Sequence, residues 1–352
     1  MRALVCLGAF FLTVCYTVFG EDAEIAARGG SKPIAYNFSN EEAKPFPGVY
    51  YADAVKNIMI KDAQAPFGAA TKEEAAAALE GAGEKEKPVD ERLYSANALL
   101  LENDVLAFYG QPSSKNMGIL GRHSKEELLE RLNTFAADYE AVSGGRSIVK
   151  AFHIIYGTCW PEGEIGIINK KVLQEYIDFA LENNMIVFLD HQIGKYDPVK
   201  SLEAMLPYLK HPNVHLALDP EWRTTKPMVE IGSVNAEELN AAQQVMQDYI
   251  IKNKIPGERM LMVHQFNYVM IKNRSRVKTE LEKVRLLLCM DGHGSPEKKR
   301  GTYAFNAEAT NIPLKAFKLF LNEKGNTGVD SPLLTPKEVY ELNPRPYVII
   351  YQ

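Results

Sequence analysis

Eight apolar segments rich in β-branched residues follow one another along the chain, and nearly all of them end in a polar side chain. Strands that are apolar almost throughout are buried on both faces, as in a parallel sheet covered by helices. With helical patterns between them, such strands predict a closed (β/α)8 TIM barrel, and a doubly wound open sheet is the main alternative. The segments span residues 105–110, 149–156, 185–192, 214–222, 260–266, 284–292, 314–320 and 347–352.

Helix N-cap signals lie between the predicted strands. Capping boxes open apolar helical stripes at Ser124, Asn235 and Thr335. Asp197 followed by Pro198 predicts a further helix that runs through Leu209, because Asp caps the helix and Pro is favoured at its first position. The connections after the fifth and sixth predicted strands are less clearly helical. These helices cover the sheet, as the barrel requires.

The N-terminal region differs in amino-acid composition from the rest of the chain. Residues 1–20 combine a positive start with a short apolar stretch, and Glu21 follows at once, which is typical of a cleaved signal peptide rather than of a membrane span. Cys15 leaves a lipoprotein as the less favoured alternative. We therefore expect a periplasmic or secreted protein, with a partly disordered extension over residues 21–102 and a barrel domain over residues 103–352.

Composition narrows the classes of partner. A formal net charge of -5 argues against broad binding to nucleic acid or to an anionic membrane, which would need a basic face. A hydrophobic content of 46% and a charged content of 24% are ordinary for a globular protein. After signal cleavage only Cys159 and Cys289 remain, and both a single disulfide and two free thiols stay open. The oligomeric state is open as well.

The sharpest local pattern lies at the end of the fourth predicted strand. Asp219 and Glu221 are two residues apart, so on an extended strand their side chains point the same way, with Cα atoms roughly 6.5–7 Å apart. Glycoside hydrolysis uses carboxylate pairs about 5–9.5 Å apart. Trp222 would add an apolar surface of the kind that raises a carboxyl pKa. The pattern predicts one protonated and one ionised carboxyl, with Glu221, Asp219 and Asp190 as candidates for the acid and for the base, nucleophile or electrostatic partner.

Polar residues at the ends of the other strands extend this candidate site. Because inward and outward positions alternate, Asp190 is expected to face the mouth of the barrel, with His191 in a supporting position. Lys318 interrupts an apolar strand, and we expect it to pair with Asp291 or Glu221. The residues predicted to bind substrate are Tyr109, Gln192, Trp222, His264, Gln265, Asp291, His293, Lys318 and Tyr351.

A divalent metal is an alternative that the same residues leave open. Their oxygen and nitrogen atoms suit Mg²⁺, Mn²⁺ or Zn²⁺. The first predicted strand has no His-x-His and the chain has no His-Glu-x-x-His, so we assign no metal ligand and no cofactor. His153 and His215 lie within strands and are interpreted as structural. Neither a Gly-x-Ser-x-Gly nucleophile motif nor a Gly-rich dinucleotide motif after the first strand is present.

The phrase Leu218–Glu221, Leu-Asp-Pro-Glu, resembles the Asp-x-Glu motif of family 25 muramidases and other barrel glycosidases. This resemblance implies that Glu221 is the acid and Asp219 its partner. The first strand differs, with Ala107–Gly110 in place of the Asp-Val-Ser of those muramidases. A second resemblance, to a group of exported bacterial barrel proteins without assigned activity, implies the fold and the export. It is carried by the phrases at 108–112, 219–221, 263–266 and 290–292.

The sequence as a whole predicts an exported hydrolase that acts on a carbohydrate at the C-terminal face of a TIM barrel. One alternative is a metal-dependent hydrolase, similar to a phosphodiesterase, that uses Asp190, Glu221, Asp291 and a histidine. The other is a barrel that binds a glycan or a surface partner without turnover.

Overall fold

The computed structural model describes residues 91–323 and 328–352. The predicted signal peptide and most of the predicted N-terminal extension lie outside these residues. Within the described ranges, no helix combines the length and the apolar character needed to cross a bilayer.

Parallel strands close into a (β/α)8 TIM barrel, as the sequence predicts. Strand β1 (Asn103–Gly110) pairs with β2 (Ser147–Cys159) on one side and with the last strand, β11 (Val348–Tyr351), on the other, so the sheet has no open edge between them. All eight apolar segments are barrel strands, which confirms the prediction. The remaining barrel strands are β4 (Ile186–His191), β5 (Val214–Leu218), β7 (Arg259–His264), β9 (Val284–Met290) and β10 (Leu314–Leu319).

Among the described residues, three short strands lie outside the barrel. β3 (Ile165–Ile167) pairs antiparallel with the end of β2, which extends that strand beyond the barrel. β6 (Val234–Asn235) and β8 (Ile271–Lys272) pair with each other in the loops after β5 and β7. All of them follow C-terminal strand ends, so they build the rim of the barrel mouth.

Helices cover the outside of the barrel, and the predicted caps are confirmed. Ser124, Asn235 and Thr335 each accept from the third backbone N–H of their helix within a complete capping box. The Asp197 side chain accepts from the Val199 backbone N–H. The helices are α1 (Ala96–Glu102), α2 (Lys125–Glu140), α3 (Lys170–Glu182), α4 (Pro198–Glu203), α5 (Ala236–Lys252), α6 (Pro296–Ala307) and α7 (Pro336–Tyr340).

Two connections differ from the predicted pattern. The helix predicted to run from Pro198 through Leu209 ends at Glu203 and is followed by a separate 3-10 helix, Leu206–Lys210. Of the two connections predicted to be less helical, that between β9 and β10 contains α6. The one between β7 and β9 contains only short 3-10 turns and β8.

Helix α1 closes the N-terminal end of the barrel. Leu99 and Leu100 are fully buried against inward-facing strand residues. Ser95 caps this helix and also donates its hydroxyl to Glu258 Oε2 at 2.5 Å. Helix α1, which precedes residue 103, therefore packs against the barrel.

Alternate residues of each strand face either the helices or the barrel interior. On β1, Leu106 and Phe108 belong to the outer core, whereas Val105, Ala107 and Tyr109 belong to the inner one. The inner core is apolar at mid-height and becomes polar towards the C-terminal strand ends. The candidate site therefore lies inside the barrel at its C-terminal end.

Candidate active site

Ionisable side chains from neighbouring barrel strands converge inside the C-terminal end of the barrel. None of these residues is more than 6% exposed. Active sites of (β/α)8 enzymes lie at this end because the strand ends and their loops meet there. We call the set the upper cluster: Tyr109, His153, Asp190, Asp219, His264, Asp291 and Lys318.

Asp190 lies at the centre of the upper cluster. The Tyr109 hydroxyl donates to Asp190 Oδ2 at 3.1 Å, and the Nε2 atoms of His153 and His264 each lie 3.6 Å from the same oxygen. Burial alone would raise the pKa of this carboxyl, but His264, His153 and Lys318 outweigh burial and lower it. Asp190 is therefore ionised at neutral pH, and it faces the interior as predicted.

His264 lies between two carboxylates. Its Nε2 atom faces Asp190, and its Nδ1 atom lies 3.1 Å from Asp291 Oδ2. Burial favours the neutral ring, but the nearby Asp190, Cys289 and Asp291 outweigh burial and raise the pKa of His264 well above its ordinary value. The alternation of apolar residues left the direction of His264 ambiguous, and the structure places it inside the barrel.

His153 lies beside Asp190, which its interpretation as a structural residue did not anticipate. The parallel register aligns His153 with Tyr109, and its ring stacks on Phe188 at a centroid distance of 5.4 Å. Burial lowers the pKa of His153 to about 4. His215 behaves as interpreted, since its Nδ1 accepts from a strand backbone N–H at 3.1 Å.

Asp219 and Glu221 do not share one extended strand, so that part of the prediction is wrong. Strand β5 ends at Leu218, and Asp219 caps a 3-10 turn that spans Pro220–Trp222. Asp219 Oδ1 accepts from the Glu221 backbone N–H at 3.2 Å. Proline at the first helical position favours such a turn, because its fixed φ suits a helix start.

Both carboxyls of this turn still interact with the upper cluster. Burial raises the pKa of Asp219 to about 7, and the Asp291 and Asp190 carboxylates add to that increase. Burial, followed by the charges of Asp219 and Asp291, also raises the pKa of Glu221 well above its ordinary value. Like charges so close together disfavour ionisation, so these carboxyls do not all ionise at once. The pKa of Glu221 is shifted towards the protonated form, and Asp219 titrates near neutral pH.

Lys318 lies inside the cluster, but its predicted ion pair with Asp291 or Glu221 is wrong. Among the described residues, the ammonium has no carboxylate partner, and its Nζ lies 3.6 Å from the centroid of the Tyr109 ring. Its charge acts at longer range, where it lowers the pKa of Asp219 and of Glu221.

Tyr351 does not line the mouth, so its predicted role in substrate binding is wrong. Its hydroxyl hydrogen-bonds the Tyr139 hydroxyl at 2.9 Å, and its ring packs edge-on against Phe135 at 4.8 Å. Both partners belong to helix α2, so Tyr351 is part of the outer core.

Gln192 and Gln265, both predicted to bind substrate, form hydrogen bonds with loop residues of the protein. Gln192 Oε1 accepts from the Cys159 backbone N–H at 2.8 Å. Gln265 Oε1 accepts from Arg274 Nη1 at 2.9 Å, and its Nε2 donates to the Asn267 carbonyl at 3.2 Å. These bonds indicate a structural role for both side chains at the rim.

The remaining candidates lie around the mouth. Trp222 is half-buried in the turn after β5. His293 is half-buried after β9, with its ring 5.7 Å from that of Phe320. His191 supports the backbone, because its Nδ1 accepts from the Ile193 N–H at 2.9 Å. Cys159 and Cys289 are both free thiols.

The rim carries exposed aromatic residues that the sequence did not single out. Trp160, Tyr196 and Tyr268 are 56%, 39% and 71% exposed and follow β2, β4 and β7. The Trp160 indole lies over Gly166, where an added Cβ would sit 2.0 Å from its Nε1. Tyr196 donates its hydroxyl to Glu164 at 2.7 Å. In the sequence, these three aromatic residues could have been identified by their positions just after predicted barrel strands.

No protein-family model and no curated protein matches the chain. Among solved structures, it is similar to a GH5-4 broad-specificity endoglucanase from Clostridum cellulovorans (TM-score 0.43, 11% identity, 76% of this chain and 90% of that one). It is also similar to the ICChI chitinase from Ipomoea carnea, with a TM-score of 0.41 and 12% identity over 70% of this chain and 94% of that one. A third similar structure is oxaloacetate acetylhydrolase with the inhibitor 3,3-difluorooxalacetate, with a TM-score of 0.42 and 13% identity over 74% of this chain and 77% of that one. At these TM-scores the similarities carry no argument about function.

Proposed function

We propose that the protein is an exported hydrolase that cleaves a carbohydrate by carboxylate acid–base chemistry. The observation that carries the proposal is the convergence of Glu221 and Asp219 with buried charges at the C-terminal end of the barrel. A catalytic acid and base need environments that separate their protonation states. The turn after β5 provides two carboxyls with that property.

Glu221 is the proposed acid. Because burial and the Asp219 charge raise its pKa and favour the protonated form, it can give its proton to the leaving glycosidic oxygen. Asp219 is the proposed base or nucleophile, since its pKa of about 7 leaves an ionised fraction at neutral pH. Asp190 is less suited to that role, because Tyr109, His153 and His264 already surround its carboxylate.

A carbohydrate fits the surroundings of these carboxyls. The exposed rings of Trp160, Tyr196 and Tyr268 offer flat apolar surfaces on which the C–H faces of sugar rings can stack. A phosphodiester is less favoured by the protein groups alone, because the upper cluster contains several carboxyls and repels an anionic substrate.

The test compares Glu221→Gln with Glu230→Gln on a panel of cell-wall and environmental glycans. Glu230 is exposed, pairs with Lys226 and lies in the loop after the same strand, so it is a matched control. We expect wild type and Glu230→Gln to release reducing ends. Glu221→Gln should lose about 10²–10⁴-fold in kcat while retaining glycan binding.

Two outcomes contradict this assignment. Full activity in Glu221→Gln would remove the acid from its proposed position. Tight glycan binding by the wild type without hydrolysis of any panel member would favour the binding alternative. Export is tested separately by mass spectrometry of the mature protein from its host, which should lack residues 1–20.

A further inference from the structure

Two imidazoles and one carboxylate meet inside the upper cluster in an arrangement that suits a metal ion. The Nε2 atoms of His153 and His264 each lie 3.6 Å from Asp190 Oδ2, and one donor atom from each residue lies within 4.8 Å of the others. All three residues are 0% exposed. Donors about 2.1 Å from a tetrahedral ion are roughly 3.4 Å apart, so a small contraction would complete the set.

The same three residues also carry buried polar atoms that have no hydrogen-bond partner within the described residues. Among the described residues, both ring nitrogens of His153, Nε2 of His264 and Oδ1 of Asp190 have no hydrogen-bond partner. Buried polar atoms in folded proteins are nearly always paired, because leaving them unpaired is costly. A cation bound between these residues would interact with polar groups that the protein leaves partly unsatisfied.

Asp291 is placed to orient one of these ligands. Its Oδ2 lies 3.1 Å from Nδ1 of His264, on the side of the ring away from Asp190. Histidine ligands in metal sites commonly have a carboxylate behind the other ring nitrogen, which fixes the tautomer and the ring orientation. Asp291 would therefore be a positioning residue rather than a ligand.

We propose that His153, Asp190 and His264 bind a divalent transition-metal ion, with Zn²⁺ as the reference ion. Two imidazoles favour such ions over Mg²⁺ and Ca²⁺, which prefer oxygen ligands. Three protein ligands leave a further position for water or substrate, as in catalytic zinc sites. The ion site itself does not depend on the proposed hydrolysis, and only a catalytic use of the ion rests on that function.

The test uses the full-length protein, stripped by a chelator and dialysed against Zn²⁺ alone. We expect one Zn²⁺ per chain and a higher melting temperature. His153→Gln and His264→Gln should each weaken binding at least a hundredfold, and Asp291→Asn should weaken it about 10–100-fold. His293→Gln, which changes a half-buried histidine outside the proposed ligand set, should bind like wild type.

X-ray absorption at the zinc edge of the wild type keeps the proposal testable if a variant does not fold. It should show two imidazole nitrogens and a carboxylate oxygen. The proposal is overturned by binding of less than a tenth of an equivalent, by unchanged affinity in His153→Gln, or by a spectrum without imidazole ligands.

Glycan hydrolysis by the stripped and reloaded protein separates this proposal from the proposed function. Hydrolysis with no Zn²⁺ binding overturns the metal site alone. Stoichiometric Zn²⁺ binding through both imidazoles, with no hydrolysis of any glycan, supports the metal site and overturns the proposed function.

Discussion

Buried charged groups have different hydrogen-bonding environments at the two ends of the barrel. At the N-terminal end, the fully buried Arg259 donates through its terminal nitrogens to the carbonyls of Tyr94 and Pro256 at 3.2 and 2.9 Å, and to that of Leu209 at 3.4 Å. Only its Nε is without a partner among the described residues. This guanidinium therefore joins the turn just before α1 and the neighbouring loops to strand β7.

At the C-terminal end, equally buried groups keep unused hydrogen-bonding capacity. Among the described residues, both ring nitrogens of His153 and one carboxylate oxygen of each of Asp190 and Asp291 lack a partner. Burying polar groups costs free energy unless they are paired. The difference indicates that the N-terminal end contributes stability, whereas the C-terminal end is arranged for something that binds there.

The largest expected effect on stability comes from the N-terminal end. Arg259→Met leaves several buried carbonyls without a donor, so the free energy of unfolding should fall by about 3–5 kcal/mol. Urea denaturation measures this change. Arg276→Met, at an exposed guanidinium paired with Glu237, should cost less than about 1 kcal/mol. Equal effects of the two substitutions would contradict the comparison.

The next effect is a pH dependence from the C-terminal end. The folded-state pKa of Asp219, about 7, exceeds its ordinary value of 3.8, so the unfolded chain loses this proton first as pH rises. The contribution of this carboxyl to stability is then greatest below about pH 4 and is lost as the pH rises to about 7. At about 1.4 kcal/mol per pKa unit, the loss is on the order of 4 kcal/mol.

Asp219→Asn should remove that decrease. The measurement is the free energy of unfolding of wild type and variant at pH 4 and at pH 8, with the exposed Asp248→Asn as the control. Asp248→Asn should keep the wild-type slope. If Asp219→Asn also keeps it, Asp219 is not a carboxyl whose ionisation the fold opposes.

The smallest expected effect is the loss of one hydroxyl from either of two buried tyrosines, Tyr109 and Tyr139. Tyr109→Phe removes the hydroxyl that donates to Asp190, and it should cost about 1.5 kcal/mol of stability and lower glycan hydrolysis. Tyr139→Phe removes a hydroxyl that pairs with Tyr351 in the outer core, and it should cost about 1 kcal/mol without affecting hydrolysis per folded molecule. A loss of activity in both variants would show that the inner core with Tyr109 and the outer core with Tyr139 are not functionally distinct.

The fold was predictable because its signals are local. Burial on both faces makes each barrel strand a continuous apolar segment, and the capping boxes lie within four residues. The turn that begins at Asp219-Pro220 also had a local sequence signal, an Asp followed by Pro, which is typical of a helix start. Asp197-Pro198 was interpreted as a helix start, and Asp219-Pro220 has the same cap geometry in the structure.

The site was less predictable because it depends on register. Asp190 could be predicted from its place at a strand end. His153 lies in the middle of a long apolar segment, and only the pairing of β2 with β1 places it beside Tyr109. Tyr351 was assigned to the wrong face because its strand is apolar on both faces, so alternation could not orient it.

The central claim is that the C-terminal carboxyls serve chemistry at little benefit to stability. The most direct measurement is glycan hydrolysis together with the free energy of unfolding at pH 7 for Glu221→Gln. We expect activity to fall about 10²–10⁴-fold, while stability changes by less than about 1 kcal/mol or increases, because the amide is a neutral substitute for a protonated carboxyl. Retained hydrolysis, or a stability loss as large as that expected for Arg259→Met, would contradict the claim.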